Sequence, residues 1–359
     1  MKIVYFFFLM TIIGQILHAQ SKPDNLKISD KIPLLNPDNI VKTTDYFNWG
    51  GSIYKDNEGI YHLFYSRWKK KHTFYGWLTH SEIAHATSSS PKGPWEYLRT
   101  ELKGHGKGYW DAITAHNPKI KFFDGKFYLY YISTNMGDKD YTEKELEETS
   151  QVGYSHPNWK ILRPNQRTGV AVSNSINGPW ERLDLPLIEP SGPITTLTVN
   201  PAIARNMDGK YYLVVKGDKP NETRFIRNQA VAISDSPLGP FKMQPKAVID
   251  YMDTEDMSIW YDSDRNRFYG VFHAHSYIGL ITSIDGTIWE KAKDEVVTTK
   301  SLDMEDGTVL EPVRMERPFV YVENSVPEIL LLTAKFKDES YTVCIPLKTK
   351  SSGELQKKK

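Results

Sequence analysis

Three groups of polar residues in this chain have the types and spacing to do chemistry together: Asp111 with His116 and Asn117, then Asp253, Glu255 and Asp256, then Glu311, Glu316 and Arg317. A fourth, His80 with Glu82 and His85, lies nearer the start. Two carboxyl groups held apart across a gap can cleave a bond at an acetal carbon. One protonates the leaving oxygen and the other activates water, which in the inverting geometry needs ~6.5–9.5 Å between them. Other chemistries find no support. The sequence has no phosphate-cradling glycine loop, no zinc-spaced His/Cys cluster and no Gly-x-Ser-x-Gly elbow. The single cysteine, Cys344, sits between Val343 and Ile345 and reads as a small buried hydrophobe.

Residues so far apart in sequence need a scaffold that brings them together, and an internal repeat supplies one. Five segments share an apolar strand, a polar turn and an aromatic strand; they begin at Gly51, Pro118, Pro201, Met257 and Pro318. Asp124-Gly125 and Asp208-Gly209 are tight hairpin turns, since both positions tolerate positive φ. A second unit follows four of them: a small-residue strand, a Ser/Gly/Pro turn, and a closing aromatic at Trp95, Trp180, Phe241 or Trp289. Two hairpins make a four-stranded sheet, and such sheets set radially make an all-β five-bladed propeller over 25–350. The fifth unit lacks the Gly-Pro-aromatic turn, which leaves its outer strands undefined. The longest interval between closing aromatics, Trp95 to Trp180, holds a polar, helix-permissive stretch at 141–149, read either as an excursion over a channel face or as a solvated loop.

The ends and the composition set the context. Residues 1–20 combine Lys2, a short apolar run from Ile3 to Ile13 and small or polar residues at 17–20, the pattern of a secretory signal peptide. The expected location is therefore secreted or periplasmic. The run is too short to span a bilayer, and 351–359, ending in three lysines, reads as a disordered tail. With 45 Lys and Arg against 44 Asp and Glu, nothing favours nucleic acid or an anionic membrane as partner. An oligosaccharide or polysaccharide suits the many aromatic faces, with twenty-one tyrosines and nine tryptophans available.

The blade hairpins, the Ser-x-Gly-Pro-Trp turns and the motifs Asn48-Trp-Gly-Gly-Ser52, His80-Ser-Glu-Ile-Ala-His85, Trp110-Asp111, Ala115-His-Asn-Pro118, Glu255-Asp256 and Glu316-Arg-Pro318 resemble those of the five-bladed propeller glycoside hydrolases, the group of families 43, 32, 68 and 117. The resemblance covers nearly the whole mature chain and implies hydrolysis at the end of a sugar chain, with the site at one channel mouth. It departs from family 43 where that family's catalytic acids stand: this chain has Asn48-Trp49-Gly50, Lys119 and Thr198-Val199-Asn200 there. Those roles therefore do not carry over.

In such a propeller, polar groups just before the innermost strands converge on one mouth, and blades two and four lie across the channel. The expected assignment makes Asp111 the general base and Glu255 the acid. Asp256 or Glu316 would raise the acid's pKa by like-charge repulsion. Strand alternation allows only one of Glu255 and Asp256 to face inward. Trp49, Trp77 and Trp110 offer stacking faces, or core. His80 and Glu82 share the face expected to reach the channel. His116 and Asn117 either bind substrate or a channel ion, or cap the strand before Pro118. Arg317 either binds a sugar group or pairs with Glu316 or Glu311. No cofactor is required, and a channel Ca²⁺ is compatible with the ligand types. A carbohydrate-binding propeller without turnover, or glycosyl transfer with the same carboxylates, remain the alternatives.

Overall fold

The hairpin turns form where the sequence places residues tolerant of positive φ: Asp124 and Gly125 have φ of 49° and 80°, and Gly209 has 82°. In the computed structural model, which describes residues 23–348, these hairpins build five four-stranded antiparallel sheets. The leader at 1–20 and the tail at 351–359 lie outside the described residues. No described helix is long and apolar enough to cross a membrane.

The sheets are the blades of a five-bladed β-propeller, and their innermost strands are Tyr46–Lys55, His116–Phe123, Thr195–Arg205, Glu255–Asp262 and Arg314–Glu323. The fifth blade takes its outer strand from the other end of the chain. Ile40–Val41 pairs with Ser340–Pro346, Ile40 opposite Val343, which closes the ring. This accounts for the turn missing from the last repeat. Apolar clusters fill every seam between neighbouring blades; Leu63, Phe319 and Cys344, for example, meet where the first blade joins the fifth.

Each inner strand carries a bulge at the same point. The register slips between Trp49 and Ser52, His116 and Lys119, Val199 and Ala202, Glu255 and Ser258, and Glu316 and Phe319. At the middle of each slip a residue takes a left-handed conformation: Gly50, Asn117, Asn200, Asp256 and Arg317, all with φ between 51° and 63°. A bulge inserts one extra residue and re-aims its neighbours. Two consecutive side chains can therefore both point inward, which strict alternation forbids.

Residues 135–165 leave blade two as an excursion containing α1 (Glu143–Val152) and α2 (Pro157–Leu162). Thr142 and Glu145 form a reciprocal capping box that starts α1. The excursion packs on the blade-one loop 70–80 through Leu78, Tyr141, Leu146, Trp159 and Leu162. Thr73 Oγ1 donates to the Ser150 carbonyl at 2.7 Å, and Gln151 Nε2 to the Lys71 carbonyl at 2.6 Å.

Candidate active site

At the mouth covered by the excursion lies a cavity of about 380 Å³. Its apolar wall joins Trp49 from the first inner strand, Phe74 and Trp77 from the blade-one loop, and Tyr154 and Trp159 from the excursion. Phe74 meets Trp49 edge-on at 5.2 Å and Trp77 meets Trp159 at 5.3 Å, so the wall is a set of rings locked at steep angles. Its polar wall joins Lys216, Arg227, Glu255, Arg314, Glu316 and Arg317 from blades three to five with Arg163 and Gln166 from the blade-two side.

Glu255 and Glu316 occupy the residue just before the bulge in neighbouring blades and reach the cavity as a pair. Burial pushes the Glu255 carboxyl toward its neutral form, but Lys216 and Arg227 oppose this and hold it well below the usual carboxylate range. Lys216 Nζ donates to Glu255 Oε2 at 2.6 Å and Arg227 Nη1 donates to Oε1, so both oxygens are tethered. Glu316 accepts from Arg314 Nε at 2.6 Å. Burial again favours its proton, and His273 and Arg314 outweigh burial to leave the pKa lowered. The ionised Glu255 pushes Glu316 the other way.

The lining cations are not free charges. Arg163 is held bidentately by Asp218 at 2.8 and 2.6 Å, Arg227 binds Asp253 as well as Glu255, and Arg317 binds Asp256. With Lys216 on Glu255 and Arg314 on Glu316, every basic residue of the lining has a carboxylate partner. The cavity is polar, aromatic and close to neutral, which suits the hydroxyl-rich faces of an uncharged sugar.

One residue further along, the bulge positions form a second layer on the propeller axis. Asn117 Nδ2 donates to Asn200 Oδ1 at 2.7 Å, Asn200 Nδ2 donates to Asp256 Oδ1, and Arg317 Nη1 donates to that same oxygen. Gly50 completes the ring without a side chain; a Cβ there would stand 3.1 Å from Asn117 Oδ1. Burial raises the Asp256 pKa, against the pull of Arg317. Both Glu255 and Asp256 thus face inward, Glu255 to the cavity and Asp256 to the axis. Arg317 pairs with Asp256, not with Glu316 or Glu311.

Several expected site residues stand elsewhere. Asp111 is fully buried within blade two, where Tyr131 and Arg182 donate to Oδ2, each at 2.7 Å, and His105 lies 3.1 Å from Oδ1. It does not line the cavity, so the structure does not build the opposition of Asp111 and Glu255 across the channel. Trp110 stacks on Tyr131 and donates to the Leu183 carbonyl. Glu82 is taken up by Arg67 and Thr100 on blade one. His116 lies behind the wall against Trp77, with Nδ1 2.7 Å from Ser81 Oγ. His80 faces the excursion. Of the residues that sequence reasoning missed, Lys216 and Arg227 lie on the two middle strands of blade three, and Arg314 opens the fifth inner strand two residues before its Glu316-Arg-Pro318 motif. Tyr154 and Trp159 come from a segment whose aromatic spacing gives no repeat signal.

Asp256, His273 and Glu316 also offer three ligand atoms within 4.8 Å of one another, the natural place for a channel ion. Arg317 already neutralises Asp256, and buried Lys119 lies near enough for both Asp256 and Arg317 to act on it. A Ca²⁺ ion, which seeks six to eight oxygens, would find two carboxylates and an imidazole here, with each carboxylate already paired to an arginine.

No family model and no curated relative matches the sequence. Solved structures do match. A family 117 glycoside hydrolase of the marine bacterium Zobellia galactanivorans aligns over 88% of this chain and 87% of its own, at 16% identity and a TM-score of 0.58. The endo-arabinase of Bacteroides thetaiotaomicron aligns over 89% and 99%, at 14% and 0.55. A β-xylosidase/α-arabinofuranosidase from a compost metagenome, solved with xylotriose in a calcium-free form, aligns over 90% and 96%, at 14% and 0.55. At these identities the likeness establishes a shared fold.

Proposed function

We propose that the protein is a glycoside hydrolase that removes sugar from the end of an uncharged oligo- or polysaccharide, with Glu255 and Glu316 as its reacting carboxyls. The observation that carries this reading is the placement of two buried carboxyls, from equivalent positions of adjacent blades, in one aromatic-walled cavity. The likeness to solved propeller glycosidases supports the reaction class. End-on attack is supported by the excursion, which covers one side of the mouth. The predicted leader makes the protein an exported one.

Glu255, tethered through both oxygens by cations, is the carboxylate that stays ionised. Pairing with two cations lowers its nucleophilicity along with its basicity, which argues against a covalent intermediate and leaves it to hold and orient the attacking water, so the reading keeps inversion. Glu316 is raised by the ionised Glu255, which is itself held by two cations, so Glu316 is the group that takes up the proton when a bound sugar expels water from the cavity. Trp49 and Trp77 stack on the sugar, and Arg314 and Arg317 orient its hydroxyls.

The test is product release from a panel of plant and algal oligosaccharides, comparing wild type with Glu255→Gln and Glu316→Gln. Each variant is expected to lose roughly 10²–10⁴-fold in kcat. Glu316→Gln alone should regain turnover on aryl glycosides whose leaving group needs no proton. Sugar binding by the wild type without cleavage of any substrate would replace this reading with that of a carbohydrate-binding propeller. Cleavage that survives both substitutions would move the chemistry to other residues.

A further inference from the structure

Away from the reacting carboxyls, His72 and His80 stack with ring centroids 3.6 Å apart beneath the first turns of α1. His72 Nδ1 meets Glu147 Oε2, and His80 Nε2 faces Glu143 Oε1 at 3.3 Å and Glu147 Oε2 at 3.7 Å. One ligand atom from each of His72, His80 and Glu147 falls within a 4.8 Å span. Glu143 and Glu147 are one helical turn apart on α1, so both carboxylates come from the same face.

One atom in this cluster lacks the partner its surroundings demand. The His80 side chain is 9% exposed, and its Nε2 is shut off from water without a hydrogen bond of good geometry, although it points at two carboxylates. Nδ1 of the same ring is 2.7 Å from Thr79 Oγ1. When Nδ1 donates there, Nε2 presents a lone pair toward negative oxygens, an arrangement that is repulsive until a cation lies between them. Burial keeps both imidazoles below their ordinary pKa, His80 at about 4.

We propose that His72, His80 and Glu147, with Glu143 as an exposed fourth ligand, form a binding site for a zinc-class divalent transition metal that fastens α1 to the blade-one loop. Two imidazoles and carboxylate oxygens suit zinc and its neighbours rather than calcium or magnesium. Ligand bonds of about 2.0–2.2 Å are reachable by small side-chain adjustments from the present spacing. The outer partners of such a site are also in place. Thr79 orients His80, and Gln151 Nε2 donates to Glu147 Oε1 at 2.6 Å. Glu143, with its side chain 79% exposed, gives the ion a path from solvent. The same excursion carries Tyr154 and Trp159 into the cavity wall, so an ion here fixes that wall without touching substrate. Sequence alone could not show this cluster, because the two histidines and the two glutamates lie more than sixty residues apart and meet only when blade two folds back over blade one.

The full-length protein, stripped with chelator, would be titrated with Zn²⁺, with Ca²⁺ and Mg²⁺ in parallel, following bound metal per chain, the thermal midpoint and protease cleavage within α1. One Zn²⁺ per chain at micromolar affinity or better is expected, with a raised midpoint, protection of α1, and tetrahedral d–d bands when Co²⁺ is substituted. His80→Gln and Glu147→Gln should each lower affinity at least tenfold, while His273→Gln, at the axial cluster, should leave the stoichiometry at one. Retention of tight binding in both His80→Gln and Glu147→Gln, or its loss in His273→Gln, would overturn the assignment. So would the absence of Zn²⁺ binding by the folded wild type, or binding of Ca²⁺ in its place. Should His80→Gln fail to fold, Glu143→Gln, on an exposed side chain, tests the same site with a smaller loss of affinity.

Discussion

The two layers at the propeller mouth, built from adjacent residues of the same five strands, behave differently. The residue before each bulge, Trp49, His116, Val199, Glu255 or Glu316, forms or backs the cavity. The residue at the bulge, Gly50, Asn117, Asn200, Asp256 or Arg317, forms a ring of hydrogen bonds around the axis. Glu255 and Asp256 are both buried carboxyls on consecutive residues. Glu255 is tethered but open to the cavity, whereas Asp256 Oδ1 is enclosed by Asn200 and Arg317 beside a void of about 10 Å³. Position relative to the bulge, not residue type, decides which of the two can reach a sugar.

Asp256→Asn breaks this comparison most severely. It leaves the Arg317 guanidinium buried without its carboxylate, and loss of one partner of a buried pair costs about 3–5 kcal/mol. The expected result is a large fall in the denaturant midpoint with turnover per folded molecule retained, whereas Glu255→Gln, which strips Lys216 and Arg227 of a buried carboxylate in the same way, should lose turnover per folded molecule as well as stability. If Asp256→Asn instead abolishes cleavage while the unfolding midpoint stays put, the axial layer takes part in the chemistry and the separation of layers fails.

Much of this arrangement was legible in the sequence. The five hairpins, their aromatic closures and the position of the site-bearing residues before each inner strand follow from repeat spacing and turn chemistry. Glu255, Glu316, Arg317 and Trp49 line the cavity, while Asp256 turns to the axial layer beneath it. Two things were not legible. A bulge leaves period-two patterning intact on either side, so the Glu255-Asp256 pair looks like a choice between faces when both point inward. Asp111 and Glu82 carry the residue types of a catalytic site, yet their partners Arg182 and Arg67 come from other strands of the same blade, a pairing that register alone reveals. Blade five was incomplete for a similar reason, since its outer strand is supplied by residues at the opposite end of the described chain.

Asp111 sharpens the contrast between blades two and four. Its oxygens accept from Tyr131 and Arg182, with His105 close by, so Asp111→Asn should cost about 3 kcal/mol of stability, the lower end for a broken buried pair because Arg182 keeps its bond to the Lys103 carbonyl. Cleavage per folded molecule should be unchanged. Initial rates measured on protein corrected for its folded fraction would check this. A collapse of kcat at full folding would restore the pairing of Asp111 with Glu255 across the channel.

The smallest expected effect tests the axial ring at its one gap. Gly50 has a φ of 60°, where a side chain costs roughly 1–2 kcal/mol from contact between Cβ and the following carbonyl. The added methyl would also stand 3.1 Å from Asn117 Oδ1 and 3.9 Å from the Arg317 stem. Asn117 can give a little, because its Nδ2 is bonded to Asn200 while Oδ1 has no partner. Gly50→Ala should therefore fold, with a denaturant midpoint lowered by the equivalent of that strain. Because a shifted Asn117 pulls through Asn200 and Asp256 on Arg317, which also lines the cavity, KM should rise modestly while kcat holds, the mark of a displaced sugar-binding group. A stability loss as large as that of Asp256→Asn would mean that the ring tolerates no displacement at any blade. An unchanged KM would mean that the axial layer and the cavity are mechanically independent.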